Sequence, residues 1–383
     1  MSQSETMIPQ SEPAESLAPL RVLVATPLGR RGQGGIDRLN DLIFDTIGRH
    51  PELGIRMNVL VSRGQGSILF APFFLLRTLA SLTTATLGGH ADVLHIHLSS
   101  RGSTYRKLAI GGLARILKLP YVVHIHGSGF DVFWAGAGPR LAAAITRLLT
   151  RSAAVIVLGK YWADVVARHA PAAAGKIVVL PNATAPLAGR REAKREGPVH
   201  IVFLGAIGER KGTPQLVEAL GRLADRGDWS ATIAGNGDID ATRDQIARAG
   251  ISNRVAVSGW LDPSKAQDVI LSADIYVLPS FAENLPMSVL ESMASGAAVV
   301  ATPVGAVPEV IEDGVNGLLV QPGDVDGLTD AICRLLDDPI LRRRIGDAGQ
   351  RRHGEAFNIE CYVLRLAEIW RQAAATRNTA RPG

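Results

Sequence analysis

The chain is 383 residues long, 46% hydrophobic and 20% charged, with 40 Gly and 21 Pro, which excludes disordered, collagenous and coiled-coil classes and leaves room for two domains with their own cores. Its only cysteines, Cys333 and Cys361, offer no disulfide framework and no cysteine metal site, in keeping with a reducing cytoplasm. The net charge of +5 divides unevenly: residues 1–190 hold 20 Lys/Arg and 10 Asp/Glu (+10), the remainder 21 and 26 (−5), so the halves are expected to meet different partners, none of them a nucleic acid.

Residues 1–20 are polar, lack the basic start and apolar centre of a signal peptide, and read as a disordered tail. Apolar, β-branched runs then recur at 21–26, 56–61, 92–97, 121–126, 153–158 and 177–181. After a charged, Pro- and Gly-punctuated stretch at 183–198 they resume at 199–205, 231–235, 254–259, 274–279, 297–302 and 317–320. Helical periodicity fills most of the intervals, and the runs are apolar throughout rather than at every second residue. That pattern predicts an α/β chain of two doubly wound, parallel-sheet (Rossmann-like) domains facing across a cleft, 21–190 and 191–360, with 361–383 as a helix crossing back to the first domain and then a tail. The most apolar stretch, Ser67 to Leu87, is interrupted by Pro72 and Arg77 and cannot span a membrane.

Ligands on such sheets bind beyond the carboxyl ends of the strands, so the loops there carry the chemistry. After the first run, Gly32, Gly34 and Asp37 fail the dinucleotide fingerprint at its third glycine, and Gly235 and Gly237 fail likewise with Asp240. Gly34 and Gly35 either permit a tight strand-to-helix turn or let backbone approach a phosphate or sugar at a helix N-terminus. Arg210 and Lys211 stand at the mouth of a helix whose start Thr213-Pro214 marks, where two cations beside free backbone donors cradle a diphosphate or are solvated surface charges. Further on, Pro286 and Gly296 frame a short helix with an apolar stripe of Met287, Leu290 and Ala294 and with Glu291 at its edge, while Glu283 precedes it in the loop. A carboxylate turned toward a core needs partners, and ligand hydroxyls supply them. With 36 acidic residues a pair eight apart arises by chance, so the surrounding sequence carries the signal.

His95 with His97, and His124 with His126, alternate on strand ends, a pattern that suggests zinc; no third ligand is spaced to match, hydrogen-bonded buried histidines are commoner, and no metal is expected. The Asn182-Ala183-Thr184 sequon is irrelevant in a cytoplasmic protein.

With these residues in place the chain resembles glycosyltransferase family 4, retaining GT-B enzymes that move a sugar from a nucleotide sugar. The resemblance is strongest from Val199 to about Gly349 and rests on Glu283 and Glu291 as an E-x7-E pair followed by SMASGAAVVATPVGAVPEVI. Echoes in the first half are GGIDR (34–38), HIHGSGFD (124–131) and VLPNAT (179–184). It implies that 21–190 binds the acceptor and 191–360 the nucleotide sugar. It further implies that Glu291 holds ribose hydroxyls, Glu283 the donor sugar, Lys211 the phosphate, and that the loop Asn284, Leu285, Pro286 and Met287 faces the diphosphate with its backbone amides, of which Pro286 offers none. His126 then lies near the transferred sugar and Gly34-Gly35 beside the phosphates. One departure stands out: the family's arginine after the glycine matching Gly205 is here Ala206, and Arg210 is the candidate to replace its charge.

The expected reaction is hexosyl transfer from a UDP- or GDP-sugar without metal or other cofactor, with cations and helix N-termini stabilising the leaving phosphate. The basic first half, with SILFAPFFLLRTLASL and STYRKLAIGGLARILKL, points to peripheral contact with an anionic membrane at the inner face of the cytoplasmic membrane, the same segments being alternatively core helices. On the membrane reading the acceptor is a polyprenyl-diphosphate-linked saccharide in bacterial polysaccharide synthesis. A nucleotide-sugar epimerase, a phosphorylase, and a non-catalytic sugar-nucleotide-binding protein share the architecture and stay open on sequence alone.

Overall fold

In the computed structural model, which describes residues 19–30, 32, 34–64, 66–187 and 197–379, each apolar run is a strand of one of two six-stranded parallel sheets. The first sheet holds β1 (Leu20–Thr26), β2 (Ile55–Val61), β3 (Val93–Leu98), β4 (Tyr121–Ile125), β5 (Ala154–Val157) and β6 (Ile177–Val179), in the order β2-β1-β3-β4-β5-β6. The second holds β7 (Val199–Leu204), β8 (Trp229–Ala234), β9 (Val255–Ser258), β10 (Ile275–Leu278), β11 (Ala298–Ala301) and β12 (Leu318–Leu319), in the order β12-β11-β10-β7-β8-β9. The expected tail of residues 1–20 lies outside the described residues up to 18, and its last residue, Leu20, opens β1 and pairs with Ile55.

Helices cover both sheets, which is why the central strands are buried on both faces and, apart from His95, His97 and His124, largely apolar. In the first half they are α1 (Gly35–Arg49), α2 (Ala71–Leu87), α3 (Gly102–Ile116), α4 (Phe130–Ala135), α5 (Pro139–Thr150) and α6 (Lys160–His169). The second half adds α7 (Thr213–Gly221), α8 (Ile239–Arg248), α9 (Pro263–Leu271), α10 (Met287–Ser295), α11 (Val307–Val310), α12 (Val325–Asp337), α13 (Pro339–Ala356) and α14 (Ile359–Thr379). Their starts follow local chemistry: Asp262 and Asp338 accept backbone N–H bonds at the heads of α9 and α13, each with proline in the first turn.

In both sheets the strand order reverses at one place, between β1 and β3 and between β7 and β10, and crevices open there beyond the carboxyl ends. The loop after β1 carries Gly34-Gly35, that after β7 Arg210-Lys211, that after β10 Glu283. The chain crosses between domains at Thr184, whose carbonyl accepts from Ile359 N at 3.1 Å and whose hydroxyl meets His353 Nε2 at 2.7 Å. From there α14 lies on the first sheet beside α1, with Tyr362, Leu366 and Trp370 in the same apolar cluster as Val22, Val93 and Ile156. The charged stretch at 183–198 falls largely in residues 188–196, outside the described residues.

Candidate active site

A cleft of about 480 Å³ runs between the domains, lined by Gly34, Gly35 and His126 from the first and by Lys211, Glu283 and Glu291 from the second, among others. Two helices begin at it from opposite sides. Gly34 precedes α1 and Pro286 precedes α10, and neither supplies a side-chain cap; in α10 the Val289 N–H turns back to Pro286 O at 3.2 Å, while Met287 and Ser288 head the helix toward the cleft. The two starts lie close together, since a Cβ built on Gly35 would stand 3.7 Å from Met287 Cγ. Asp37 explains the failed third glycine: its buried carboxylate accepts backbone hydrogen bonds from Leu28 and Gly34 and shapes the loop, with burial raising its pKa to about 6.

Helix α10 is more enclosed than its apolar stripe suggests, with Ser292 and Ser295 buried as well as Leu290 and Ala294. Glu291 on this helix is only 5% exposed and takes an ion pair from Arg38 Nε of α1 at 2.7 Å, across the domain boundary. Burial raises the Glu291 pKa to about 7, while Arg38 opposes the rise. Glu283 is likewise enclosed, and Lys211 Nζ donates to its Oε1 at 2.5 Å. Arg210 sits at the rim, 52% exposed, with Nη1 donating to Ala282 O at 3.0 Å and 3.9 Å from Glu283 Oε1.

Two glycines make the second-domain loops fit. Gly212, at φ +72°, ends the Lys211 turn where a Cβ would fall 2.0 Å from Pro279 O. Gly305, at φ +60°, lets the 302–306 segment pass the carboxylate loop, where a Cβ would meet Glu283 O at 2.3 Å. The first domain clamps the same loop: Asn182 Nδ2 donates to Leu285 O at 2.8 Å and Asn284 Nδ2 to Ile125 O at 3.4 Å. Asn182 of the sequon is therefore a buried bridge between domains.

Parallel pairing sets His97 opposite His124 and so joins the two histidine pairs, correcting the expectation that no third ring is placed to match. Ring nitrogens of His95, His97 and His124 all lie within 4.8 Å of one another. His95 and His97 are stacked, however, with centroids 4.4 Å apart, so their in-plane lone pairs run side by side, and both nitrogens of His97 are already paired. The rings pack on one another and three of them hydrogen-bond: His97 Nδ1 meets His126 Nε2 at 2.8 Å, His97 Nε2 meets Asn40 Oδ1 at 2.9 Å, and Trp370 Nε1 donates to His95 Nδ1 at 3.0 Å, whereas His124 is buried without a hydrogen bond. Burial lowers the pKa of His95 and His126 to about 3 and holds His97 and His124 well below the ordinary value, so all four are neutral.

A family model of glycosyl transferases group 1 matches residues 188–352, and one of a glycosyl transferase 4-like domain matches residues 14–183. The 2-deoxystreptamine glucosyltransferase of Streptomyces kanamyceticus is 31% identical over 272 residues, 65% of this chain and 69% of that enzyme. The chain belongs to the family 4-type GT-B glycosyltransferases. The MMP α-(1→4)-mannosyltransferase of Mycolicibacterium hassiacum is 35% identical over 186 residues, 47% of this chain and 45% of that one. In fold, the sucrose-phosphate synthase from Thermosynechococcus elongatus is similar at TM-score 0.74 and 19% identity, covering 93% of this chain and 100% of that one. HepE of Anabaena in complex with UDP is similar at TM-score 0.70 and 18% identity, covering 91% and 99%.

In this glycosyltransferase every residue singled out from sequence, Gly34, Gly35, His126, Arg210, Lys211, Glu283, the loop Asn284, Leu285, Pro286 and Met287, and Glu291, lines the one cleft. Sequence reasoning missed Arg38, Asn40, Asn182 and Trp260. Arg38 had a usable signal, since it stands in the first turn of a helix opened by two glycines. Asn40 acts across the fold and carries no local pattern, while Asn182 stands in the VLPNAT run, whose bridging role only the fold reveals. Lys107, counted among the basic residues of a surface segment, is fully buried, donating to Ala25 O at 2.8 Å and Ser62 Oγ at 2.9 Å, with burial lowering its pKa to about 7.

Proposed function

We propose that this glycosyltransferase transfers a hexose from a UDP- or GDP-sugar, with retention and without metal, to a saccharide carried on polyprenyl diphosphate at an anionic membrane. The observation that carries the donor reading is the convergence of two uncapped helix N-termini and Lys211 on a cleft that also holds Glu283 and Glu291. The amides and the cation suit a diphosphate, and the carboxylates suit sugar and ribose hydroxyls. Trp260, beyond β9 in the same cleft, offers an aromatic face for a base.

In the proposed step the bond from the anomeric carbon to the diphosphate oxygen breaks, and the nucleoside diphosphate leaves with the electron pair. The acceptor hydroxyl bonds to the same carbon on the same face, and its proton passes to the departing phosphate oxygen. Charge grows on the leaving phosphate, so Lys211 and the amides heading α1 and α10 bind the transition state more tightly than the ground state.

The HepE complexes carry UDP and UDP-glucose, which supports a nucleotide-sugar donor here. Support for the membrane comes from Leu69, Phe70, Phe73 and Leu76, all more than half exposed at the head of α2, with exposed Arg77 beside them. No helix of the described residues is long and apolar enough to cross a membrane, so contact would be peripheral.

Screening nucleotide sugars for slow hydrolysis identifies the donor, and the anomer formed on the acceptor reports retention. Turnover is expected to survive EDTA; loss restored by magnesium or manganese overturns the metal-free step. Co-sedimentation with phosphatidylglycerol vesicles, but not phosphatidylcholine, and its loss in a Phe70→Glu/Phe73→Glu variant test the membrane reading.

A further inference from the structure

Among the four clustered histidines one chain of hydrogen bonds has a fixed direction. Asn40 Nδ2 donates to Ile36 O at 2.9 Å, one turn back in α1, so its Oδ1 faces His97. Reversing the amide would set its oxygen against the Ile36 oxygen, two acceptors with no proton between them. Oδ1 can only accept, hence His97 Nε2 carries the hydrogen. A neutral imidazole bears one proton, so His97 Nδ1 is a bare acceptor. Its partner at 2.8 Å, His126 Nε2, must then be the donor. His126 itself lines the cleft.

We propose that Asn40 and His97 are positioning residues that fix the tautomer of His126, with Nε2 protonated and Nδ1 left as the one ring acceptor it can present to a substrate hydroxyl. The inference rests on the reading of the cleft as the sugar-transfer site, but its structural half does not. Burial works in the same direction, holding both rings neutral, since a protonated ring would have no lone pair to offer. Packing keeps the chain aligned: His97 stacks on His95, which Trp370 of α14 holds, and His124 and His126 lie with centroids 3.9 Å apart. A helix from the first half and one from the end of the chain thus both restrain a ring at the cleft.

The test is long-range ¹H–¹⁵N correlation on the full chain with ¹⁵N-labelled histidine, the His126 signals being assigned through a His126→Gln variant. Donor hydrolysis is followed in parallel. We expect His126 in the Nε2–H form in the wild type. Asn40→Leu removes the acceptor at similar size and should give a tautomer mixture and about a tenfold lower kcat with KM little changed. Asn40→Asp sets a second oxygen against Ile36 O, so it should keep the wild-type tautomer only as the protonated acid, which donates to Ile36 O and still accepts from His97. Should Asn40→Leu fail to fold, His97→Phe keeps the ring stack while removing both bonds, and the same two changes are expected. A wild-type His126 in the Nδ1–H form overturns the proposal. So does a variant whose tautomer shifts with no change in kcat, or whose rate falls with the tautomer unmoved. If no nucleotide sugar is hydrolysed, the transferase reading fails, while the spectrum still decides whether Asn40 sets the ring.

Discussion

The two sheets have the same strand number and the same parallel pairing, yet their interiors are filled differently. Around the second, the core is one apolar cluster that includes Ile201 and Phe357, and its buried polar side chains are small hydroxyls and amides apart from His353 and from Glu291, which stands at the cleft. Around the first, Asp37, Asn40, His95, His97, His124 and Lys107 are all buried beneath or beside the helices. Burying polar groups costs free energy unless each finds a partner, so a polar interior persists only where something fixes the groups in place. The second domain thus places its cations and carboxylates at loop ends and on α10, and the first sets His126 at the end of a strand backed by buried polar rings. Substitutions in the two should fail differently.

The largest effect is expected at Lys211. Lys211→Ala removes a preorganised cation from the developing charge on the leaving phosphate and should lower kcat about a hundredfold. Single-turnover assays against donor hydrolysis measure this. A near-normal rate would shift the weight of catalysis to the first domain and reverse the comparison.

Next comes the bridge between the domains. Glu291→Ala should weaken UDP or GDP binding by about 1.5 to 3 kcal/mol, the range for a hydrogen bond to a charged group. Arg38→Ala leaves the buried carboxylate without its ion pair and should cost about 1 to 3 kcal/mol in the same titration. Because the two residues are in contact at 2.7 Å, the double variant should lose less than the sum. Additive losses in calorimetry would mean that Arg38 and Glu291 serve the nucleotide separately.

The same contrast explains what the sequence discloses. All twelve strands were legible because parallel strands covered on both faces are nearly continuous apolar runs, and the cleft followed from two such domains whose ligands bind beyond the carboxyl ends of the strands. Lys211, Glu283 and Glu291 were legible because the loops at the ends of strands, and the helix that follows one of them, form local motifs. Arg38 on Glu291, Asn182 on Leu285 and Asn40 on His97 were not, since each pair joins residues far apart in the chain. Register was the other hidden variable: each His pair shows its own alternation, but only the pairing of His97 with His124 makes one cluster of them. Lys107 misled for a related reason, since a lysine on a basic helix reads as surface until the depth of that helix is known.

A pH series sharpens the comparison through stability. The Glu291 pKa is raised to about 7 in the fold from an ordinary 4.5, so the folded state holds this proton more tightly than the unfolded one. Its contribution is present below the unfolded value and is lost as pH rises through about 7. Glu291→Gln has no such titration, so its stability relative to the wild type should improve between pH 5 and 8 by on the order of 1 to 2 kcal/mol. Denaturant midpoints of both proteins across that range give the difference, in which the other titrating groups cancel. A constant difference would show that Arg38 keeps Glu291 ionised throughout.

The smallest effect is expected at Arg210, where the sequence departs from its family at Ala206. Sequence reasoning gives Arg210 the charge that Ala206 lacks, and its place in the cleft lining permits this. Its side chain is half exposed, its guanidinium donates to Ala282 O, and solvent screens it, whereas Lys211 is 12% exposed on an enclosed partner. The backbone of Arg210 is the firmer attachment, since its carbonyl accepts from Phe281 N at 2.9 Å and survives any substitution. Arg210→Ala should therefore lower kcat only a few-fold, well short of Lys211→Ala, because a screened charge at the rim gains little as the phosphate becomes more negative. Arg38, held on Glu291 inside the cleft, is better placed to act as the second cation. Steady-state kinetics on Arg210→Ala, Arg38→Ala and the double variant decide between them. A hundredfold loss at Arg210 alone would mean that its guanidinium swings inward when the diphosphate binds, and that the missing arginine has been replaced from the second domain after all.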